Sequence, residues 1–208
     1  MEALDLDLYN RTVQRKKVSS LRKEGITPVH LYGRGITSLS LQAKSSDIAK
    51  IVDLAGHNIP ININLPDLNE QRLSFVAEIQ YSPISNNILH VDFLYVNTNQ
   101  PLKRNVPVYL IGESPAVRIN GCSLNQELHS LIVECLPLDT PEKLEIDISI
   151  LKEIGEIIKV KDCSFSSNIT ILSNAETIIA KVSTSKAARS ARGSGESENA
   201  DALSSTSV

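Results

Sequence analysis

A chain of 208 residues, 41% apolar and 22% charged with a formal net charge of −3, has material for one or two globular domains with real cores. No window approaches the roughly 18 unbroken apolar residues of a membrane-crossing helix, and MEALDLDLYNR puts acids where a secretory leader needs an apolar run, so a cytoplasmic protein is expected. Cys122, Cys135 and Cys163 are odd in number and widely spaced, which fits reduced thiols better than a disulfide framework.

In chain order, Leu4, Leu6 and Leu8 alternate with Asp5 and Asp7, the period of a strand with one buried face over residues 3–9. The strand leads into a cationic stretch. Arg11, Arg15, Lys16, Lys17, Arg22, Lys23 and Arg34, seven of the chain's 21 basic residues, fall within residues 11–34 against the single acid Glu24. A mildly acidic chain has no electrostatic reason to gather them unless they face something anionic, and structured RNA is the economical candidate; the alternative is a solvated loop and helix. Ser19 and Ser20 as caps and Gly25 as a stop predict a short helical turn over 21–24 that displays Arg22 and Lys23. A strand follows over 26–32, with Pro28 near its start, and Gly33-Arg34-Gly35 predicts a hairpin turn into a strand over 36–41.

Ser45-Ser46-Asp47, then Ile48, Ile51, Val52 and Ala55, then Gly56, give the cap, spacing and stop of an amphipathic helix, read as a plug over one end of a barrel. Alternation predicts further strands over 59–65, 73–81 and 88–95, separated by turns at 66–70 and 82–87. Five or six strands and one helix in about 95 residues predict a small closed or nearly closed β-barrel, since closure removes sheet edges.

Residues 97–101 are polar and punctuated, a linker. Beyond it, strands are predicted over 106–111, 128–136, 144–148, 157–160, 169–172 and 177–182. Positions 98–185 carry eight basic and eleven acidic residues, a balance poorly suited to gripping RNA. From Lys186 onward the chain is rich in Ser, Ala and Gly, and disorder is expected. The fold class is therefore mainly β with short helices: a barrel over 1–97, an acidic all-β domain over 98–185, and a tail over 186–208.

Catalytic motifs are missing. No Gly-x-Ser-x-Gly turn supports a hydrolase reading of His90, Asp92 and a serine, no phosphate-cradling glycine loop occurs, and the cysteines lack zinc-ligand spacing. No enzyme activity, cofactor or metal is expected.

Several short runs, in order and at matching spacing, carry a resemblance. Leu21-Arg22-Lys23-Glu24-Gly25, Pro28-Val29-His30-Leu31-Tyr32-Gly33, Ile79-Gln80-Tyr81-Ser82-Pro83 and Ile88-Leu89-His90-Val91-Asp92-Phe93 are joined by Val106-Pro107-Val108-Tyr109-Leu110-Ile111-Gly112-Glu113 and Val133-Glu134-Cys135-Leu136-Pro137. Over residues 3–184 the chain resembles the bacterial 5S-rRNA-binding family of large-subunit ribosomal protein twenty-five, in its two-domain form, general stress protein CTC. The resemblance implies a barrel that docks on an internal loop of 5S rRNA within the 50S subunit, with neighbouring ribosomal proteins as further partners. It implies contacts from Arg11, Lys17, Arg22, Tyr32, Gly33, Gln80, His90 and Asp92, to which the cationic run adds Arg15 and Lys16. The family commonly has a glycine ahead of its basic run, where this chain reads Gln14-Arg15-Lys16-Lys17.

The residue chemistry is coherent by itself. Lys and Arg neutralise phosphates and set a salt-dependent affinity, while Gln80, His90 and Asp92 can read base edges or ribose hydroxyls in the wide minor groove of an RNA helix. His90 and Asp92, two apart on a strand, point the same way while Leu89, Val91 and Phe93 fill the barrel. Read singly, His90 and Asp92 are an ordinary surface pair, Tyr32 a rim residue, Arg34 a turn tip, His57 a loop residue, and His30 and His129 fillers of partly buried strand positions. Two other functions compete with ribosomal RNA binding: a stress-response interaction factor acting through the acidic second domain, and an anticodon-binding barrel like that of a glutaminyl-tRNA synthetase.

Overall fold

The computed structural model describes residues 3–13, 17–120, 122–165 and 168–184; the predicted tail over 186–208 and the loop path through Gln14, Arg15 and Lys16 lie outside them. The chain divides into two compact units, one of Met1–Val106, Ile132–Glu142 and Ser166–Leu172, the other of Pro107–Leu131, Lys143–Phe165 and Ser173–Val208.

The first unit contains the barrel. Its strands are β1 (Leu4–Asp7), β2 (Tyr9–Asn10), β3 (Ile26–Gly33), β4 (Leu39–Lys44), β5 (Ile61–Leu65), β6 (Glu70–Tyr81) and β7 (Ile88–Tyr95), hydrogen-bonded in the order β1-β5-β6-β7-β3-β4-β2. β1 and β2 are one run of chain interrupted only at Leu8. The first half pairs in parallel with β5, Leu4 opposite Ile61, and the second antiparallel with β4, Tyr9 opposite Gln42. One segment thus lies on both free edges of the sheet and nearly closes it. Asn64 Nδ2 donates to Asp7 Oδ1 at 2.9 Å and the Asn10 amide to Asp67 Oδ2 at 2.7 Å, which pins the run on its β5 side.

Strict alternation fills the interior. Leu6, Leu8, Val29, Leu31, Leu41, Ala43, Ile61, Ile63, Val91 and Phe93 are buried in one cluster with Ile48, Val52 and Ala55 of α2 (Ser45–Ala55). The second helix is the plug that its spacing predicts, although its N-cap is Lys44 and no side chain caps it. α1 (Val18–Lys23) is longer than predicted. Ser20 lies inside it with its hydroxyl donating to the Lys17 carbonyl at 2.7 Å, and Leu21 is the buried anchor that leaves Arg22 and Lys23 outside. Residues 36–38 are turn and coil, so β4 starts three residues later than the glycine turn predicts.

Phe75, fully buried, points away from that interior; the Arg104 guanidinium lies 4.5 Å above its ring and donates to the His57 carbonyl. The aromatic face is thereby covered by a cation attracted to its π-system. Burial pushes Arg104 below its ordinary pKa. β10 (Ser130–Cys135) pairs antiparallel with β13 (Thr170–Ile171).

In the second unit, β8 (Leu102–Ile111) pairs in parallel with β11 (Leu144–Asp147) through Val108–Ile111, and β14 (Ile178–Thr184) runs antiparallel between β9 (Cys122–Gln126) and β12 (Ile157–Lys159). β9 and α3 (Pro115–Asn120) are absent from the sequence expectation. Some of the unit's acidity is consumed internally: Lys159 and Lys161 hold Glu176 at 2.8 and 2.7 Å and push its carboxyl down to about 2.

Candidate nucleic-acid interface

Register decides which surface residues meet. On the barrel's outer face, Gln80 of β6 lies opposite His90 of β7, and Glu78 opposite Asp92. Asp92 lies opposite His30 of β3, and His30 opposite Ser40 of β4, whose carbonyl accepts the Arg11 amide at 3.0 Å. Residues separated by up to 81 positions in sequence therefore form one row across four strands, ending at the residue that follows β2. Sheet spacing of about 4.8 Å per strand makes such a row roughly 20 Å long.

α1 joins the row from the side. Arg22 Nε donates to the Leu89 carbonyl at 3.0 Å, which places the guanidinium beside His90. Arg11, half-buried, donates from Nη1 to the Val13 carbonyl at 3.1 Å. Burial, and after it the Arg22 charge, push Arg11 below its ordinary range. Among the described residues no carboxylate pairs with either guanidinium, so two cations repel each other at the edge of the row. An external anion between them relieves that repulsion.

The centre of the row is His90 and Asp92, with side chains 22% and 23% exposed. His90 Nδ1 lies 3.1 Å from Asp92 Oδ1, but the pair is not aligned as a hydrogen bond, and Asp92 Oδ1 and Arg11 Nε are both enclosed without one. Asp92 also faces Glu78, a like-charged cross-strand neighbour that costs stability; Gln80 Nε2 relieves Glu78 by donating to it at 3.2 Å. Polar atoms left unpartnered in a folded chain call for an explanation, and a ligand that completes the set supplies one.

Burial pushes His90 below the usual imidazole range, Arg11, His30 and Arg22 push it further, and Asp92 opposes them. The unfolded chain consequently takes up the His90 proton first as pH falls below about 6.5. The His90 contribution to stability is present above that value and is lost as pH falls toward the folded pKa. Thermal melts are expected to show a lower Tm at pH 5 than at pH 7.5, with His90→Gln reducing the difference; an unchanged difference contradicts this assignment.

Of the residues singled out from sequence, Arg11, Arg22, Gln80, His90 and Asp92 meet in the row. Tyr32, 37% exposed on β3, stacks on His30 with ring centroids 5.8 Å apart and planes at 25°. Lys17 is exposed at the start of α1, Arg34 is exposed in its turn, and Arg15 and Lys16 lie outside the described residues. Gly33 has a packing reason for its identity: a Cβ there would lie 2.7 Å from the Tyr95 carbonyl oxygen and 2.8 Å from Tyr95 Cβ. His30, Ser40 and Glu78 are also members of the row; the sequence reads His30 as a filler of a partly buried strand position, which its place on β3 matches, and singles out neither Ser40 nor Glu78. The signal for His30 was its place two residues before Tyr32 on one strand face. Ser40 and Glu78 follow only from register. Among the described residues no cluster of His, Cys, Asp and Glu could hold a metal ion.

Comparison with known proteins agrees with this architecture. The family model described as Ribosomal L25p family matches residues 6–93, and that described as Ribosomal protein TL5, C-terminal domain matches residues 101–186. The large ribosomal subunit protein bL25 of Herpetosiphon aurantiacus is 36% identical over 178 residues, covering 86% of this chain and 89% of that protein. The bL25 of Dehalococcoides mccartyi is 33% identical, covering 88% and 84%, and that of Chlorobaculum tepidum 28% identical, covering 88% and 91%. With both family models present in succession, and relatives above 30% identity matched over most of their length, the chain belongs to the bL25 family of large-ribosomal-subunit proteins, in its two-domain form.

Proposed function

We propose that this chain is a noncatalytic structural protein of the large ribosomal subunit, working on ribosomes in the cytoplasm, and that it binds 5S rRNA through the outer face of its barrel. One observation carries the RNA reading. Arg11 and Arg22, cations without carboxylate partners among the described residues, converge on a half-buried His90–Asp92 pair in which Asp92 Oδ1 is enclosed without a hydrogen bond. Arg11, Lys17 and Arg22, with Arg15 and Lys16 of the adjoining loop, neutralise phosphates. Such contacts position the protein without reading sequence. Gln80, His90, Asp92 and Tyr32 supply the discrimination, at base edges and ribose hydroxyls of a minor groove. Gly33 serves them by letting β3 approach β7 beneath Tyr32. Residues 1–97 act as the RNA-binding domain, and residues 98–185 as an acidic domain directed at protein or solvent.

The test is binding of the full chain to 5S rRNA and to bulk tRNA at modest salt, where a clear preference for 5S rRNA is expected. Equal binding to both leaves only nonspecific attraction and removes the proposal. In that case a partner retained by residues 98–185 after RNase treatment favours the interaction-factor reading. Lys17→Ala and Arg22→Ala are each expected to weaken binding to both RNAs alike and to lower the log–log salt slope by about 1. A change in preference without a change in slope contradicts their assignment as phosphate contacts.

A further inference from the structure

His30 has the residue type of a strand filler and the surroundings of a binding group. The interior face of β3 is taken by Val29 and Leu31, both fully buried, so His30 stands on the outer face with Tyr32. There it is half-buried in the middle of the row, with Asp92 on the β7 side and Ser40 on the β4 side. Its ring lies against Tyr32 in a stacked arrangement. Its nitrogens make no hydrogen bond among the described residues. A half-buried imidazole whose nitrogens have no hydrogen-bond partner among the described residues, set at 25° to a neighbouring aromatic ring, lies beside Asp92, whose enclosed Oδ1 lacks a hydrogen bond.

We propose that His30 is a further RNA-contacting residue, and that His30 and Tyr32 together form one aromatic shelf against which an unstacked base or a ribose of the bound RNA packs. The proposal rests on the RNA-binding reading above and extends it from the closing hairpin to the neighbouring strand β3. Three observations support the shelf. The two rings already adopt a stacked geometry without ligand, so little side-chain freedom remains to be lost on binding. The shelf is flanked by an acceptor, Asp92, that can take a base amino group or a ribose hydroxyl. Arg11, tied to Ser40, places a cation at the same end of the row as His30's other neighbour, where the backbone of a nucleotide packed on the shelf can reach it.

The experiment compares full-length wild type, His30→Val and His30→Phe for binding to 5S rRNA and to bulk tRNA. Valine suits the strand and lacks the ring; phenylalanine keeps the ring and lacks the nitrogens. Base–aromatic stacking corresponds to a loss of about fivefold or more in affinity on removing the ring. His30→Val is expected to lose about that much for 5S rRNA with little change for tRNA, and His30→Phe to stay close to wild type. A second readout is independent of folding in the variants: the His30 ring Hε1 resonance of the wild type should shift on adding 5S rRNA and stay in place on adding tRNA. His30→Val binding 5S rRNA as wild type does, both variants losing affinity equally, or an unmoved Hε1 resonance at saturation, each overturns the shelf. These outcomes leave the RNA-binding reading intact, because that reading fails only if the wild type itself shows no preference.

Discussion

Asp92→Ala is expected to erase most of the preference for 5S rRNA over bulk tRNA while leaving the barrel as stable as before or slightly more so. The two halves of this expectation have different origins. A carboxylate among phosphates is repelled unless it meets a donor, so tRNA, which offers no matched donor, should bind the variant at least as well. The cognate RNA loses a hydrogen bond to a charged acceptor, worth roughly 1–3 kcal/mol of discrimination, or about five- to 150-fold in relative affinity. In the free protein Asp92 faces Glu78, and its Oδ1 is enclosed without an aligned donor. Its removal therefore ends a cross-strand repulsion. Competition binding and thermal melts measured on one preparation check both halves. A retained preference disproves the role assigned to Asp92, and a collapsed Tm shows that the residue is structural.

Gly33→Ala is the change with the largest expected effect on stability. The new methyl would meet the Tyr95 carbonyl oxygen at 2.7 Å and Tyr95 Cβ at 2.8 Å, and these atoms cannot swing aside as the end of a long side chain can. β3 and β7 must separate at the Gly33–Tyr95 pair, straining a parallel ladder in the middle of the sheet. Overpacking of this kind costs roughly 2–3 kcal/mol, a fall in Tm of roughly 5–10 °C for a chain of this size. His30 and Tyr32 lie on the displaced strand and Asp92 on its partner, so 5S rRNA affinity should fall with stability. A variant that melts like wild type would place the β3–β7 contact elsewhere than described.

Much of the barrel was legible because alternation is local. Ile61, Ile63 and Leu65 of β5, and Val91 and Phe93 of β7, announce their buried face within five or six residues, and α2 announces its stripe and its terminal Gly56. Pairing was not legible. Nothing in LDLDLYN says that its first half will run parallel to β5 and its second half antiparallel to β4, because strand partners are chosen by the whole sheet. Parallel pairing of β3 with β7 is equally non-local, and the row from Glu78 to Arg11 depends on it. Hence the individual residues could be named from the sequence, but His30, which only register places between Asp92 and Ser40, could not be distinguished from a filler.

In the second unit, β9 escaped notice because CSLNQ alternates polar residues around a single leucine. α3 escaped although Ser114-Pro115 is a helix-start signal, with proline at a position where its missing N–H costs nothing. Ser114 is buried and gives its hydroxyl to the Leu151 carbonyl at 2.8 Å, so a tertiary contact fixed the turn that the short sequence only allowed. α1 was underestimated for the opposite reason. Ser19 and Ser20 have cap-forming side chains, but the buried Leu21 requires a turn on either side of it to seat the helix.

The seam made by residues 4–10 has a consequence for the order of assembly. This segment is synthesised ahead of its hydrogen-bonding partners, which include β5, more than fifty residues behind it. Its second half can pair once β4 has been made, but its first half waits for β5, a pairing of higher contact order. Arg11 follows directly on that segment and is fixed by Ser40, so the complete row is created by the same closing event. A half-made chain carries the basic residues without the arrangement that the seam completes.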